Sequence, residues 1–274
     1  MLARLAKDEP EKYAAFWKEF GTVLKEGIAQ DAANRPAILS LLRFVSTHEP
    51  NNESTVSLAQ YVERMKPGQD RIYYIIAESI EAARSSPYIE RLKERDLEVL
   101  LLAERIDEWV MSQIDAYEGK RLKDAARGDL ELGGFEGEAD RKRHDEELKE
   151  SKTLLKRVKD AVGDRIEEVR VSVRLKDSPA CLVLGERDLG ANMRRILAAA
   201  GQKVPESKPL LELNVGHPLV KYLEGVADAG QFAELAQLLY DQAALAEGGE
   251  LANPPEYVQR LNRLLVRLTG YQGS

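Results

Sequence analysis

Residues 13–46, YAAFWKEFGTVLKEGIAQDAANRPAILSLLRFVS, decide how the first half of the chain folds, because they read as two helices meeting at a corner. Phe16, Phe20, Val23, Leu24 and Ile28 recur at the three-to-four spacing of one helix face, while Lys18, Glu19, Lys25 and Glu26 are predicted to stay polar on the other. Asn34 stands where it can cap a second helix, and Pro36 falls in that helix's first turn, where a missing N–H costs nothing. Ile38, Leu41, Leu42 and Val45 supply the next apolar stripe. None of this is catalytic chemistry.

Downstream, from Asp70 to Val110, the pattern changes to short alternating elements. Arg71 to Ile76 is β-rich, a helix passes through Ala82 and Ala83, Ser85-Ser86-Pro87 turns, and Glu98 to Leu102 reads as a buried strand. Strand, helix, strand predicts a parallel pair in a small α/β unit. Residues 128–137, GDLELGGFEG, gather four glycines and run into the charged stretch 139–150, which marks residues 126–145 as a solvated linker between segments 1–125 and 146–274. In the second segment Val169, Val171 and Val173 alternate as a strand, with Ala180 to Leu184 expected as its neighbour and a further strand at Leu210 to Leu213. Helices are expected from His217, through Phe232 to Leu245, and from Pro255 to Leu268. The fold class is therefore α+β.

The chain has 274 residues and a net charge of −7, so it has room for two cores and would repel a phosphate backbone. No nucleic acid is expected as a partner. Its single cysteine, Cys181, excludes an intrachain disulfide framework and suits a reducing compartment, taken as the cytoplasm. The longest apolar run, near Val99 to Ala103, is far short of the roughly 20 residues that span a bilayer, so no membrane partner is expected.

No phosphate-binding loop, dinucleotide fingerprint or HExxH motif occurs, and His48, His144 and His217 are the only histidines. Cys181 with His217 is the one conceivable nucleophile and base, yet the thiol sits among Ala180, Leu182, Val183 and Leu184, where a core role is simpler. His217, before Pro218, reads as a capping or turn residue. Leu189, Met193, Ile196 and Leu197 fall at i, i+4, i+7 and i+8, one apolar helix face that suits either a core or an adaptable surface. Trp109 lies off the stripe of Ile106 and Val110, and with Glu108 beside it could meet apolar and basic segments alike. Trp17 reads as structural. Val258, Leu261, Leu265 and Leu268, widened by Leu264, form a heptad-like seam on the last helix. Phe232, Leu235, Leu238, Leu239 and Leu245 make the preceding helix apolar on more than one side, so it is expected to be covered by its own chain and by a second copy.

The order of residues adds a resemblance. Phe16-Trp17-Lys18-Glu19-Phe20-Gly21, Leu24-Lys25-Glu26-Gly27, Leu41-Leu42-Arg43-Phe44, Tyr61-Val62-Glu63-Arg64-Met65, Ile72-Tyr73-Tyr74, Ile106-Asp107-Glu108-Trp109 and Ser178-Pro179-Ala180 follow one another as in the heat-shock protein 90 chaperones. From about Tyr13 to Val266 the chain is similar to the bacterial branch of that family. The resemblance implies the small end of a middle domain in 1–125 and a dimerisation domain in 146–274. It implies client contact through Leu189, Met193, Ile196, Leu197, Trp109, Glu108 and Ser112, and a homodimer through a four-helix bundle of the last two helices of each copy. It also implies unfolded or partly folded clients and the heat-shock protein 70 system as partners. ATP and Mg belong to the full-length family members, so this chain is expected to hold no cofactor, no metal and no catalytic residue. A non-chaperone scaffold dimer and a Cys181-dependent enzyme are the alternative readings.

Overall fold

The computed structural model describes residues 1–268 apart from 136, 187 and 204–206. The side chains of 133, 191, 192, 195 and 268 are likewise outside the described part, which includes the predicted seam residue Leu268. The chain divides into two compact units, Met1–Glu136 and Gly137–Ser274. The architecture is α+β.

The first unit opens with α1 (Leu2–Asp8) and the long α2 (Pro10–Gln30). The buried face of α2 is Tyr13, Trp17, Gly21, Lys25 and Ile28. This corrects the predicted face, since Phe20 and Val23 are 53% and 62% exposed and Lys25, expected on the polar side, is buried. Both rows have helical spacing, so periodicity alone cannot choose between them. Two features do. The Trp17 ring lies over Gly21, where an added Cβ would come within 2.8 Å of it, and Lys25 finds the buried Asp107 carboxylate to pair with.

α3 (Arg35–Leu41) carries Pro36 in its first turn as expected, but Asn34 does not cap it; the Asn34 amide donates to Asp31 at 2.7 Å instead. The backbone turns extended at Leu42, so Val45 belongs to β1 (Val45–Ser46) and not to a helix stripe. α4 (Leu58–Arg64) begins with a Ser57–Gln60 capping box. β2 (Arg71–Ile76), α5 (Ile80–Arg84), α6 (Glu90–Glu94) and β3 (Val99–Leu102) follow, with β2 and β3 paired in parallel as predicted. After α7 (Asp107–Met111), β4 (Ala116–Tyr117) and β5 (Lys120–Asp124) complete a sheet of order β1-β3-β2-β5-β4. The β4–β5 turn is Glu118-Gly119, both at positive φ, the backbone that a two-residue hairpin demands. Trp17, Ile28, Ile72, Leu100, Leu102, Val110 and Met111 share the core.

In the second unit α8 (Glu138–Glu150) buries no residue, whereas α9 (Lys152–Val162) buries Leu154, Leu155, Val158 and Val162. β6 (Val169–Val171), β7 (Ala180–Val183), α10 (Ala191–Ala199), β8 (Leu210–Leu213), α11 (Pro218–Gly225), α12 (Ala229–Ala246) and α13 (Pro254–Leu268) follow. The sheet order is β6-β8-β7, so the expected β6–β7 pairing is wrong: β8 lies between them, parallel to β6 and antiparallel to β7. β8 suits the central place on both faces. Leu211 and Leu213 are fully buried on one, and Glu212 on the other is held by the buried Arg174 at 2.9 Å and by the Ser172 hydroxyl at 2.7 Å.

Candidate interaction surfaces

α7 is five residues long, far too short to persist in isolation, so its seat comes from its surroundings. Val110 and Met111 enter the core of the first unit. The Lys25 ammonium from α2 lies 2.6 Å from the buried Asp107 and 2.7 Å from Glu104. The Thr22 hydroxyl also donates to Glu104, at 3.0 Å, and the Glu104 N–H donates to Asp107 at 2.9 Å. Arg127, just past β5, lies 2.6 Å from Glu108 and 3.1 Å from Asp124. Burial pushes the Asp107 and Asp124 carboxyls above their ordinary range, against the opposing pull of Lys25 and Arg127.

Next in sequence to these carboxylates, Trp109 remains 39% exposed. Ser112 is exposed beside it, its hydroxyl donating to the Trp109 carbonyl at 2.7 Å. Glu108 is different, being mostly enclosed with its carboxylate on Arg127. The structure thus brings all three predicted residues onto one short helix and its C-terminal end, but only Trp109 and Ser112 face outward. Trp17 is a core residue, as expected.

The second predicted surface is α10 with its approach. Leu189, Met193 and Leu197 are half-buried and Ile196 is 44% exposed. Among the described residues of α10 no side chain is buried. Arg194 lies 3.6 Å from Glu247, at the end of α12.

The predicted seam divides between two roles. Phe232, Leu238 and Leu239 are buried within their own unit, and Leu235 is half-buried against the same core. Leu245 is 44% exposed, and on α13 Val258 and Leu265 are each 50% exposed, with Leu261 and Leu264 half-buried. Val266, absent from the sequence reading, is exposed beside Leu265. Ion pairs tie α13 to its own chain: Arg260 lies 2.8 Å from Asp241 and Arg263 lies 2.8 Å from Glu234. Arg165 approaches Asp241 from another side at 3.6 Å. α13 is therefore tied to its own unit by charges, with Val258, Leu265 and Val266 turned outward and Leu261 and Leu264 partly covered.

Cys181 is fully buried in β7, and the His217 ring accepts from the Leu219 N–H at 3.1 Å, which makes it the cap of α11. Among the described residues no group of His, Cys, Asp and Glu could hold a metal ion, and no helix is long and apolar enough to cross a membrane. Nothing in the sequence singles out Lys25, Arg127 or Asp241. Only long-range pairing reveals them, because a charged residue at helical spacing ordinarily signals a solvated face.

Comparison with known proteins agrees with the residue order. The family described as "Hsp90 protein" matches residues 1–273. The chain is 52% identical over 266 residues to the protein named "Chaperone protein HtpG" of Shewanella frigidimarina (strain NCIMB 400), a match covering 97% of this chain. The chain spans 42% of that relative's length.

Proposed function

From the premise that this chain belongs to the heat-shock protein 90 family, we propose that it is the dimerising and client-contacting portion of a protein-folding chaperone. One observation carries the reading: α13 is pinned to its own unit through Asp241 and Glu234, yet turns Val258, Leu265 and Val266 outward. An apolar stripe held in a fixed orientation on the last helix is what a symmetric helical bundle needs. Leu245 of α12 extends the apolar surface. Joining two copies in this way would keep the ATP- and Mg-dependent arms of the full-length protein at an effective concentration of about millimolar for short tethers, so that weak contacts between them suffice. Trp109, with Ser112, and the Leu189–Leu197 face would meet unfolded clients, and the heat-shock protein 70 system would be a further partner.

The test is sedimentation of the chain carrying Leu261→Glu and Leu265→Glu. Buried in a bundle, the two carboxylates would lack partners at a cost of several kcal/mol each, so the variant is expected to sediment as a monomer where the parent is a dimer. A variant that sediments like the parent places the seam elsewhere. A dimer that binds no unfolded protein would favour the scaffold reading. With no phosphate-binding motif in the sequence, the chain is predicted not to bind ATP in calorimetry; saturable binding at micromolar concentration would overturn that.

A further inference from the structure

We infer that Arg127 and Lys25 are positioning residues for the Trp109 surface, clamping the α7 helix through its two successive carboxylates so that the indole is held outward in one orientation. This rests on the reading of Trp109 as a client contact. Three observations carry it. First, α7 has only five residues and buries only two apolar side chains, Val110 and Met111, so helix propensity and packing alone leave it weakly fixed. Second, its two acidic residues are engaged from different parts of the chain, Asp107 by Lys25 of α2 at 2.6 Å and Glu108 by Arg127 after β5 at 2.6 Å. Third, each clamp is anchored beyond α7: Lys25 also binds Glu104, which Thr22 holds in turn, and Arg127 also binds Asp124 at 3.1 Å. Trp109 follows the two clamped carboxylates in sequence and is the large apolar side chain that α7 leaves exposed.

The functional content is preorganisation. A large aromatic anchor binds best when its orientation is fixed before the partner arrives, because ordering it on contact subtracts from affinity. The clamps also engage both carboxylates of α7 within the chain, which leaves the indole as the group offered to a partner.

The test combines two readouts on the intact chain. Acrylamide quenching of tryptophan fluorescence reports Trp109, because Trp17 is buried at 6% exposure and largely shielded from the quencher. Binding is measured with reduced, alkylated α-lactalbumin as a permanently unfolded probe. Arg127→Gln should raise the quenching constant about twofold and the dissociation constant about fivefold, the size usual for one coupled contact, and Arg127→Lys should restore most of both. In a Trp109→Ala background Arg127→Gln should weaken the probe no further. Equal weakening in both backgrounds, or unchanged quenching in Arg127→Gln, overturns the positioning role. Should Arg127→Gln fail to fold, Glu108→Gln removes the same clamp while leaving Arg127 on Asp124, and is scored by the same criteria. If Trp109→Ala binds the probe as the parent does, the client reading of Trp109 fails; the quenching arm still decides whether the clamps fix the ring.

Discussion

The helices α7 and α10 both offer apolar side chains at the surface, yet they are held in opposite ways. α7 is short, has its C-terminal half in a core, and is gripped by buried or nearly buried ion pairs from two parts of the chain. α10 is longer and amphipathic, but no described side chain on it is buried, and its ion pair to Glu247 is long, at 3.6 Å. A rigid mount suits one large anchor such as Trp109. A loosely seated row of aliphatic and methionine side chains suits partners of differing shape, because it can repack against each. If both meet clients as proposed, α7 would supply a fixed point and α10 an adaptable one.

The contrast breaks most sharply if the ion pairs are removed. Lys25→Met leaves Asp107 buried without its cation, so the first unit is expected to lose about 3–5 kcal/mol and melt on the order of 10 °C lower. Arg194→Met removes a longer pair, partly open at Arg194 and mostly enclosed at Glu247, and is expected to cost about 1 kcal/mol or less. Thermal unfolding of the two variants beside the parent checks both. Comparable losses would mean that α10 is seated as firmly as α7.

A smaller effect sharpens the same point at α10. Met193→Ser with Leu197→Ser should weaken binding of an unfolded protein while leaving the melting curve nearly in place, since surface substitutions usually shift stability by less than about 0.5 kcal/mol. Half-burial makes this a sharper question than full exposure would. If the two side chains in fact fill a core, each loss would cost roughly 2–5 kcal/mol and the curve would fall steeply. One melting curve and one titration distinguish the cases, and a steep fall would withdraw both residues from the contact surface.

Elements are largely legible in the sequence, and their partners are not. The strands at 71–76, 99–102 and 210–213 and the last three helices follow from apolar patterning and turn residues, which are local signals. The β4–β5 hairpin is hidden because its turn is Glu118-Gly119, without the Asn-Gly or Asp-Gly that usually marks positive φ at both positions. The wrong β6–β7 pairing shows the limit of chain order: adjacency in sequence predicts adjacency in space, but the pairing of Glu212 with Arg174 and Ser172 places β8 in the middle. Among the candidate contacts, the spacing of Leu189, Met193, Ile196 and Leu197 finds one helix face, yet cannot tell how deeply it sits. Phe20 and Lys25 exchange places for the same reason. Burial of a lysine depends on Asp107, 82 residues away in the chain, and no periodicity carries that information.

A further effect is that of a single proton. Asp107 is raised above the ordinary carboxylate range because burial outweighs the pull of Lys25. The folded chain therefore takes up this proton at a pH where the unfolded chain, with an aspartate near 3.9, remains ionised. Linkage sets the sign: the stability contributed by this titration is fully present below the unfolded value and is lost as pH rises through the folded one. Urea unfolding of the parent and of Asp107→Asn across the acidic range isolates this contribution, since only the parent can titrate there. The stability difference, parent minus variant, is expected to grow as pH falls, by at most about 1.4 kcal/mol for each tenfold by which the folded carboxylate binds its proton more tightly than the unfolded one. A difference that shrinks as pH falls would show that attraction to Lys25 outweighs burial, making the α7 clamp a net stabilising ion pair at neutral pH.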